Sequence, residues 1–212
     1  MFLPAYPSDY HPRIVQLKIT LQGIEPLVWR RILIPDDLTL GRLHDVIQVA
    51  MGWEDGHMHA FHIGDRQYGI PDDEFAGPDF KIYQERNVKV SGVIDRKFTR
   101  FMYEYDFGDG WRHELLVEGF HEFDRQLTYP RYVDGARRCP PEDVGGIGGY
   151  ADFLEAIMDP LHPEHDEMRD WFGGEFNPDA LDAKAIEIGL MTIAYRRRPG
   201  KKGQSKQDEV QV

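Results

Sequence analysis

The sequence predicts an α+β fold: a mostly antiparallel sheet built from hairpins, with a C-terminal layer of about three helices. Strand-like alternating segments come in pairs joined by turn residues, one amphipathic helical segment follows the first pair, and helical patterns close the chain. The 212 residues are enough to bury a sizeable core. We expect an extended lead-in at 1–12, a single domain over 13–195 and a disordered polar tail at 196–212.

The first part of the chain is predicted to form a hairpin and a helix. Ile14 to Leu21 alternates as a strand, Gly23 to Pro26 turns, and Leu27 to Ile34 returns as a second strand. Thr39 should cap a helix whose apolar residues recur at helical spacing from Leu40 until Gly52 ends it. Further strands are expected at 57–63, 67–69, 81–83 and 88–93.

The segment Phe101 to Val117, which reads FMYEYDFGDGWRHELLV, is predicted to be the central hairpin. A two-residue turn would mix charged and aromatic residues on both faces, so we favour a three-residue loop at 108–110 whose last glycine is left-handed. Asp106 and Arg112 would then pair across the wetter face. The other face would hold Phe101, Tyr103, Tyr105, Phe107, Trp111, His113, Leu115 and Val117.

The composition changes after this hairpin. From Tyr129 the sequence YPRYVDGARRCPPEDVGGIGGY has no usable period, so we expect the sheet to end there and a long ordered or functional loop to follow. Helices are expected at 150–158 and 163–172. A third should begin at Asn177, a capping residue followed by Pro178 at the first helical position, and should end at Gly189 or continue to Tyr195.

Charge and cysteine content restrict the possible partners and location. With 37 acidic and 25 basic residues the net charge is −12, which disfavours nucleic acid and anionic membranes. The single cysteine and the absence of a signal peptide or a long apolar run lead us to expect a soluble cytoplasmic protein with no membrane association. Nucleic-acid contact stays possible through the basic residues of the tail, Arg196, Arg197, Arg198, Lys201, Lys202 and Lys206.

The densest group of candidate ligands is Asp55, His57, His59 and His62. On a strand, His57 and His59 would point the same way and could bind a divalent metal, with Asp55 or a distant carboxylate completing the shell. The alternative is an edge strand whose histidines form hydrogen bonds with their neighbours.

His113 is a second candidate, because it follows the aspartates Asp106 and Asp109 and could act as a general base. Its expected place on the aromatic face beside Tyr105 favours a packed, hydrogen-bonded histidine instead.

The segment Cys139-Pro140-Pro141-Glu142-Asp143, here called the CPPED loop, is the third candidate. A nucleophilic thiolate needs a nearby cation or helix N-terminus, and the sequence shows neither, so Cys139 is expected to be a buried small side chain. Glu142 and Asp143 are candidates for metal ligands, for acceptors that brace the loop, or for solvated charges.

Five segments of the chain form a recognisable set: VWRR at 28–31, LHDVIQVAMGWEDGHMHAF at 43–61, YEYDFGDGWRHEL at 103–115, CPPEDVGGIGGY at 139–150 and FNPDALD at 176–182. Together they resemble the plasmid pRiA4b ORF-3 family, also named for the passenger TnpR-like protein of an insertion element. The resemblance extends from about residue 14 to 190. It implies a mixed α+β architecture and a link to plasmids and mobile elements, and it brings no activity or catalytic residues with it.

Three functions are open at this point. The first is a cytoplasmic binding or accessory protein of mobile-element origin, with a polar cleft near the central hairpin and the CPPED loop. The second is a metal-dependent hydrolase, and the third is a nucleic-acid partner that acts through the basic tail. The sequence assigns no catalytic residue, cofactor, metal or partner, and leaves open whether the chain is an enzyme. The hydrolase would use His57, His59, His113, Asp106, Glu142 and Asp143, while the predicted cleft consists of His57, His59, Asp106, Asp109, His113, Cys139, Glu142 and Asp143.

Overall fold

One eight-stranded sheet and four α-helices make up the described part of the chain, residues 9–71, 81–94 and 99–196 of a computed structural model. The strand order is β5-β4-β3-β6-β7-β1-β2-β8, and every pair is antiparallel except β4 with β5. This is the predicted α+β class. The elements are β1 (Ile14–Leu21), β2 (Trp29–Pro35), α1 (Leu40–Met51), β3 (His59–Ile63), β4 (Arg66–Gly69), β5 (Ile82–Gln84), β6 (Arg100–Tyr105), β7 (Trp111–His121), β8 (Arg131–Ala136), α2 (Gly146–Met158), α3 (His165–Phe172) and α4 (Ala183–Arg196).

The core lies between one face of this sheet and the helices. Alternate residues of β1 are fully buried, as the period-two pattern predicts. Helix α1 has the predicted ends, because the Thr39 hydroxyl accepts a hydrogen bond from the backbone N–H of Arg42 and Gly52 is left-handed with φ of 90°. Among the described residues, no helix is long and apolar enough to cross a membrane. The tail beyond 196 and the first eight residues of the predicted lead-in lie outside the described residues.

The central hairpin has the predicted faces in a different register. Tyr103 pairs with His113 and Tyr105 with Trp111, so five residues, 106–110, form the loop and the expected three-residue loop is wrong. The reason is Asp106, whose backbone turns left-handed with φ of 55° and whose carboxylate Oδ1 accepts the N–H of Gly108 at 2.9 Å. A side chain therefore builds the turn.

Two expectations that depended on the old register are also wrong. Arg112 faces Glu104, with Nε 3.4 Å from Oε1, and does not pair with Asp106. Phe107 is 43% exposed and is not part of the buried face. The left-handed Gly110, with φ of 69°, is confirmed.

The sheet does not end at Tyr129. Strand β8 pairs with β2 at the sheet edge, with a register shift between Arg31 and Ile32 that hides the alternation. A side chain at Gly135 would put its Cβ 2.8 Å from the carbonyl oxygen of Trp29, so the strands approach closely only because that residue is glycine. The strand expected at 88–93 is instead a single 3₁₀ turn at Val90–Gly92.

The C-terminal helices begin at other residues than expected. Helix α2 begins at Gly146, four residues early. Asn177 caps only a turn, and α4 begins at Ala183, where the Asp182 carboxylate accepts the N–H of Ala185 at 2.9 Å. Gly189 does not end α4.

Candidate functional site

Three separate segments bring an imidazole and three carboxylates together. His57 comes from the loop between α1 and β3, Asp106 from the hairpin loop, and Glu142 and Asp143 from the CPPED loop. The His57 Nε2 atom lies 3.1 Å from Asp143 Oδ1 and 3.6 Å from Glu142 Oε2, while its Nδ1 lies 3.6 Å from Asp106 Oδ2. Ligand atoms of His57, Asp106 and Asp143 all lie within 4.8 Å of one another. These four residues are called the His57 cluster below.

The Asp106 carboxylate is held in place by the turn that it builds. Its Oδ1 accepts the backbone N–H of Gly108 at 2.9 Å and that of Asp109 at 3.3 Å. The side chain is 10% exposed. Because Oδ1 is occupied by these donors, Oδ2 is the oxygen that faces His57.

The Glu142 carboxylate is anchored in the same way. Its Oε1 accepts the N–H of Glu54 at 2.8 Å and the Tyr105 hydroxyl at 3.1 Å. That hydroxyl also accepts the N–H of Gly56 at 3.0 Å. Burial, and then the neighbouring Glu142 charge, raise the pKa of Tyr105 well above its usual value, so the phenol stays a donor. The same hydroxyl lies 3.3 Å from Oε2, the oxygen that faces His57.

Asp109 braces the two loops of the cluster rather than joining it. Its Oδ2 accepts the N–H of Gly145 at 3.2 Å. A Cβ at Gly146 would lie 2.5 Å from the Asp109 carbonyl oxygen, and Gly146 has φ of 69°, so only glycine permits this contact. The hairpin loop and the start of α2 are thereby fixed against each other.

Left-handed backbone is concentrated around the cluster. Asp55, Asp106 and Asp143 have φ of 60°, 55° and 56°, and they are three of the four described residues other than glycine with positive φ. Aspartate tolerates this conformation better than most residues, and such backbone often occurs at functional sites. Strand β3 begins only at His59, so the predicted strand from residue 57, with His57 and His59 side by side, is wrong. The left-handed Asp55 lies in the loop before this strand.

His59 belongs to a second, buried group with His44, Asp55 and Glu85, called the His44 cluster. His59 Nε2 lies 3.0 Å from Glu85 Oε2, and the rings of His59 and His44 stack at 3.5 Å and 7°. Ligand atoms of His44, Asp55 and His59 also lie within 4.8 Å of one another. Stacked rings direct their in-plane lone pairs parallel to each other, so this group is less suited to share one metal than the His57 cluster.

Hydrogen bonds assign His44 a structural role. The amide of Gln48 donates to the Tyr103 hydroxyl at 3.0 Å, Tyr103 donates to His44 Nδ1 at 2.7 Å, and His44 Nε2 donates to Asp55 Oδ1 at 2.6 Å. This direction fits a neutral imidazole, and burial, followed by His59, lowers the pKa of His44. The chain of donors holds Asp55, and through it the loop that carries His57.

The other two predicted cleft residues are buried away from the cluster. His113 is fully buried, its Nδ1 lies 3.3 Å from the Tyr103 carbonyl oxygen, and burial lowers its pKa to about 3. It sits opposite Tyr103, not Tyr105, and its packed environment is the one expected. Cys139 is the buried side chain that we expected, and burial raises the pKa of its thiol to about 12.

Sequence reasoning missed the residues that support the cluster. The alternating pattern places Tyr105 on the aromatic face, and nothing in the sequence shows that its hydroxyl reaches Glu142. The role of Glu54 rests on its backbone N–H, which leaves no signal in the sequence. The sequence indicates Asp55 as a candidate metal ligand, and nothing in it shows the left-handed backbone of this residue.

Known proteins resemble this chain over most of its length. A family model described as plasmid pRiA4b ORF-3-like protein matches residues 13–185, a span that contains all eight predicted cleft residues. The uncharacterized protein y4hQ of Sinorhizobium fredii (strain NBRC 101917 / NGR234) is 42% identical over 161 residues, which are 76% of this chain and 81% of that protein. A crystal structure of a protein of unknown function, MM3350 from Methanosarcina mazei Go1, is similar with a TM-score of 0.75 and 32% identity, covering 82% of this chain and 97% of that one.

Proposed function

The chain belongs to the plasmid pRiA4b ORF-3-like family, and we propose that it binds a divalent metal ion through His57, Asp106 and Asp143, with Glu142 beside them. This gives the predicted binding cleft, at the hairpin and the CPPED loop, a specific ligand. The observation that carries the proposal is the convergence of ligand atoms from three segments within 4.8 Å. In an octahedral shell with bonds of about 2.1 Å, the ligand atoms are about 3 Å apart when adjacent and about 4.2 Å apart when opposite. The side chains of the cluster would therefore need only small movements to coordinate one ion.

The charge of the cluster supports a cation. Three carboxylates surround one imidazole, and Asp106 is only 10% exposed. Asp106 has one oxygen fixed by backbone donors and the other directed at His57, and Glu142 is held by the Glu54 N–H and the Tyr105 hydroxyl. Outer-shell hydrogen bonds orient metal ligands in this way. A donor set of carboxylates with one imidazole suits Mn²⁺, Fe²⁺ or Zn²⁺ better than a soft ion.

The test is a titration of the full chain, treated with EDTA and dialysed, with Mn²⁺. Electron paramagnetic resonance reports the free ion, and the wild type should remove one equivalent from solution. His57→Ala should abolish this binding. His62→Ala is the matched control, because His62 also faces a carboxylate, Glu104 at 3.1 Å, and its side chain is 33% exposed against 31% for His57.

The proposal fails if the wild type takes up neither Mn²⁺ nor Zn²⁺. It fails equally if His57→Ala binds as tightly as the wild type while both variants stay folded by circular dichroism. Loss of binding in both His57→Ala and His62→Ala would also contradict it, because the effect would not be specific to the cluster.

Hydrolysis is a second candidate function, favoured by the access to this site. The Asp143 side chain is 71% exposed, and Glu142 also lines a cavity of about 620 Å³. A metal-bound water would have a lowered pKa, and the nearby Glu142 carboxylate could accept its proton. We expect the Mn²⁺-loaded protein to hydrolyse p-nitrophenyl phosphate or p-nitrophenyl acetate. Glu142→Gln should lower the affinity for Mn²⁺ but still bind one equivalent at saturation, and the saturated variant should have lost this activity. Equal turnover by the saturated variant would refute the role of Glu142 as proton acceptor.

A further inference from the structure

Arg30 of β2 is a buried cation for which the described residues provide no counter-ion. It is 2% exposed, and its Nε and Nη1 donate to the carbonyl oxygens of Ala50, Trp29 and Ala136 at 2.8 to 2.9 Å. No described carboxylate lies within 4.0 Å of it, and none of the described groups accepts a hydrogen bond from Nη2. Burial lowers the pKa of Arg30, yet a guanidinium remains charged in proteins. A buried charge without a partner is costly.

This arginine lines the cavity of about 620 Å³ that adjoins the His57 cluster. The volume is within the usual range of small-molecule sites. Cys139 is also in the wall, and its thiol, with a pKa raised by burial to about 12, is neutral and offers no negative charge. Three acidic residues also lie in the wall, and none of them pairs with Arg30. Glu54 is exposed, Glu142 accepts hydrogen bonds from the backbone N–H of Glu54 and from the Tyr105 hydroxyl, and Asp182 caps α4.

A second arginine of the cavity wall, Arg138, has no ion pair either within the described ranges. Its guanidinium carbon lies 5.0 Å from the ring centre of Phe172 and 5.1 Å from that of Phe176. Its backbone N–H donates to the Pro178 carbonyl oxygen at 2.9 Å, which fixes the segment against the turn before α4. Trp171, which is 47% exposed, extends the aromatic part of the wall.

We propose that this cavity binds a small organic anion whose head group, a carboxylate or a phosphate, pairs with Arg30 and is attracted by Arg138. The flat apolar body of the ligand packs against the aromatic wall of Trp171, Phe172 and Phe176. Guanidinium groups match both kinds of head group with paired hydrogen bonds. This site adjoins the proposed cation site and shares the wall residue Glu142 with it, and it needs no metal.

The experiment uses the EDTA-treated full chain and three probes of similar shape: phenylacetate, phenyl phosphate and the neutral phenylacetamide. Isothermal titration calorimetry should show one equivalent of at least one anion, bound about tenfold or more tightly than phenylacetamide, since hydrogen bonds to charged groups are the strong ones. Arg138→Gln should lower the affinity for the anion. Arg100→Gln, which removes an exposed arginine paired with Glu114, is the control and should not.

Because the loss of a buried arginine endangers folding, Arg30 is tested in the wild-type protein. The Nε–Hε resonance of Arg30 in ¹⁵N-correlated spectra should shift on addition of the bound anion and stay in place with phenylacetamide. A response to phenyl phosphate alone, or to phenylacetate alone, identifies the head group. Equal affinity for phenylacetamide, an unmoved Arg30 resonance at saturation, or anion binding insensitive to Arg138→Gln would overturn the proposal. None of these results depends on metal uptake at His57.

Discussion

Acidification should destabilise this protein through His113, the fully buried imidazole of β7. Burial lowers its folded-state pKa from 6.5 to about 3. The folded chain therefore resists protonation while the unfolded chain accepts a proton below pH 6.5, so stability is fully present above 6.5 and is lost as the pH falls toward 3. At about pH 4.5, which is about two units below the unfolded-state pKa and still above the folded-state pKa, the loss in the free energy of unfolding is about 3 kcal/mol.

The assay is urea unfolding followed by tryptophan fluorescence, at about pH 7.5 and about pH 4.5. The perturbation is His113→Gln, which cannot titrate. The wild type should lose about 3 kcal/mol more than the variant between the two pH values. Carboxylates and the other histidines contribute to both proteins and cancel in this difference, and so does any packing cost of the glutamine.

Equal losses in the two proteins would refute the reasoning, because His113 would then not titrate between its folded and unfolded states. A direct check avoids the variant altogether. In the folded wild type the imidazole resonances of His113 should not move between about pH 7 and pH 5, where an exposed histidine titrates.

Three further predictions concern single contacts. Tyr105→Phe removes the hydroxyl that donates to Glu142. It should lower the affinity for Mn²⁺ about 10- to 100-fold in calorimetry and leave the circular dichroism spectrum unchanged. An unaltered affinity would show that this hydroxyl does not support the metal site. Gly189→Ala gains about 1 kcal/mol of helix propensity but places a Cβ 2.5 Å from Val49 Cγ1, at a cost of about 1–3 kcal/mol. Urea unfolding should show a net loss of stability for Gly189→Ala, and this loss should be smaller when Val49→Ala is also present. If the effects of the two substitutions on the free energy of unfolding simply add in the double variant, the clash is contradicted. Hydrogen bonds from Arg31 lower the pKa of Glu118 from 4.5 to about 2. They should stabilise the folded protein by about 1 kcal/mol above pH 4.5, and this contribution should disappear as the pH falls toward 2. In Glu118→Gln the free energy of unfolding, measured by urea unfolding, should depend less on pH in this range.

The features that local sequence predicted best are those that local physics determines. The ends of α1 follow from Thr39 and Gly52, and the buried face of the hairpin follows from alternating aromatics. The predicted hairpin register is wrong because the carboxylate of Asp106 builds the turn. The positions of the glycines, on which the prediction depends, do not reveal this. Strand β8 was missed because its pairing depends on a distant partner, β2, and is interrupted by a shift.

The candidate site was predictable in its residue types but not in its grouping. His57, Asp106, Glu142 and Asp143 were all named, since imidazole and carboxylates are the side chains with ligand chemistry. Their convergence depends on the docking of the hairpin loop against the start of α2, which no local pattern encodes. The sequence predicts His57 and His59 side by side, but only His59 is in β3 and His57 lies in the loop before it, so they belong to different clusters.

The bracing of the hairpin loop by Gly145 and Gly146 has a consequence for how the chain acquires its ligand. The groups of the His57 cluster are spread over residues 57 to 143, so an unfolded or truncated chain lacks a preformed chelate. An ion that binds there would recognise only the native state and would stabilise it by mass action. The ion would link segments that are far apart in the sequence, and its uptake during refolding would report the step at which the hairpin loop and the CPPED loop come together.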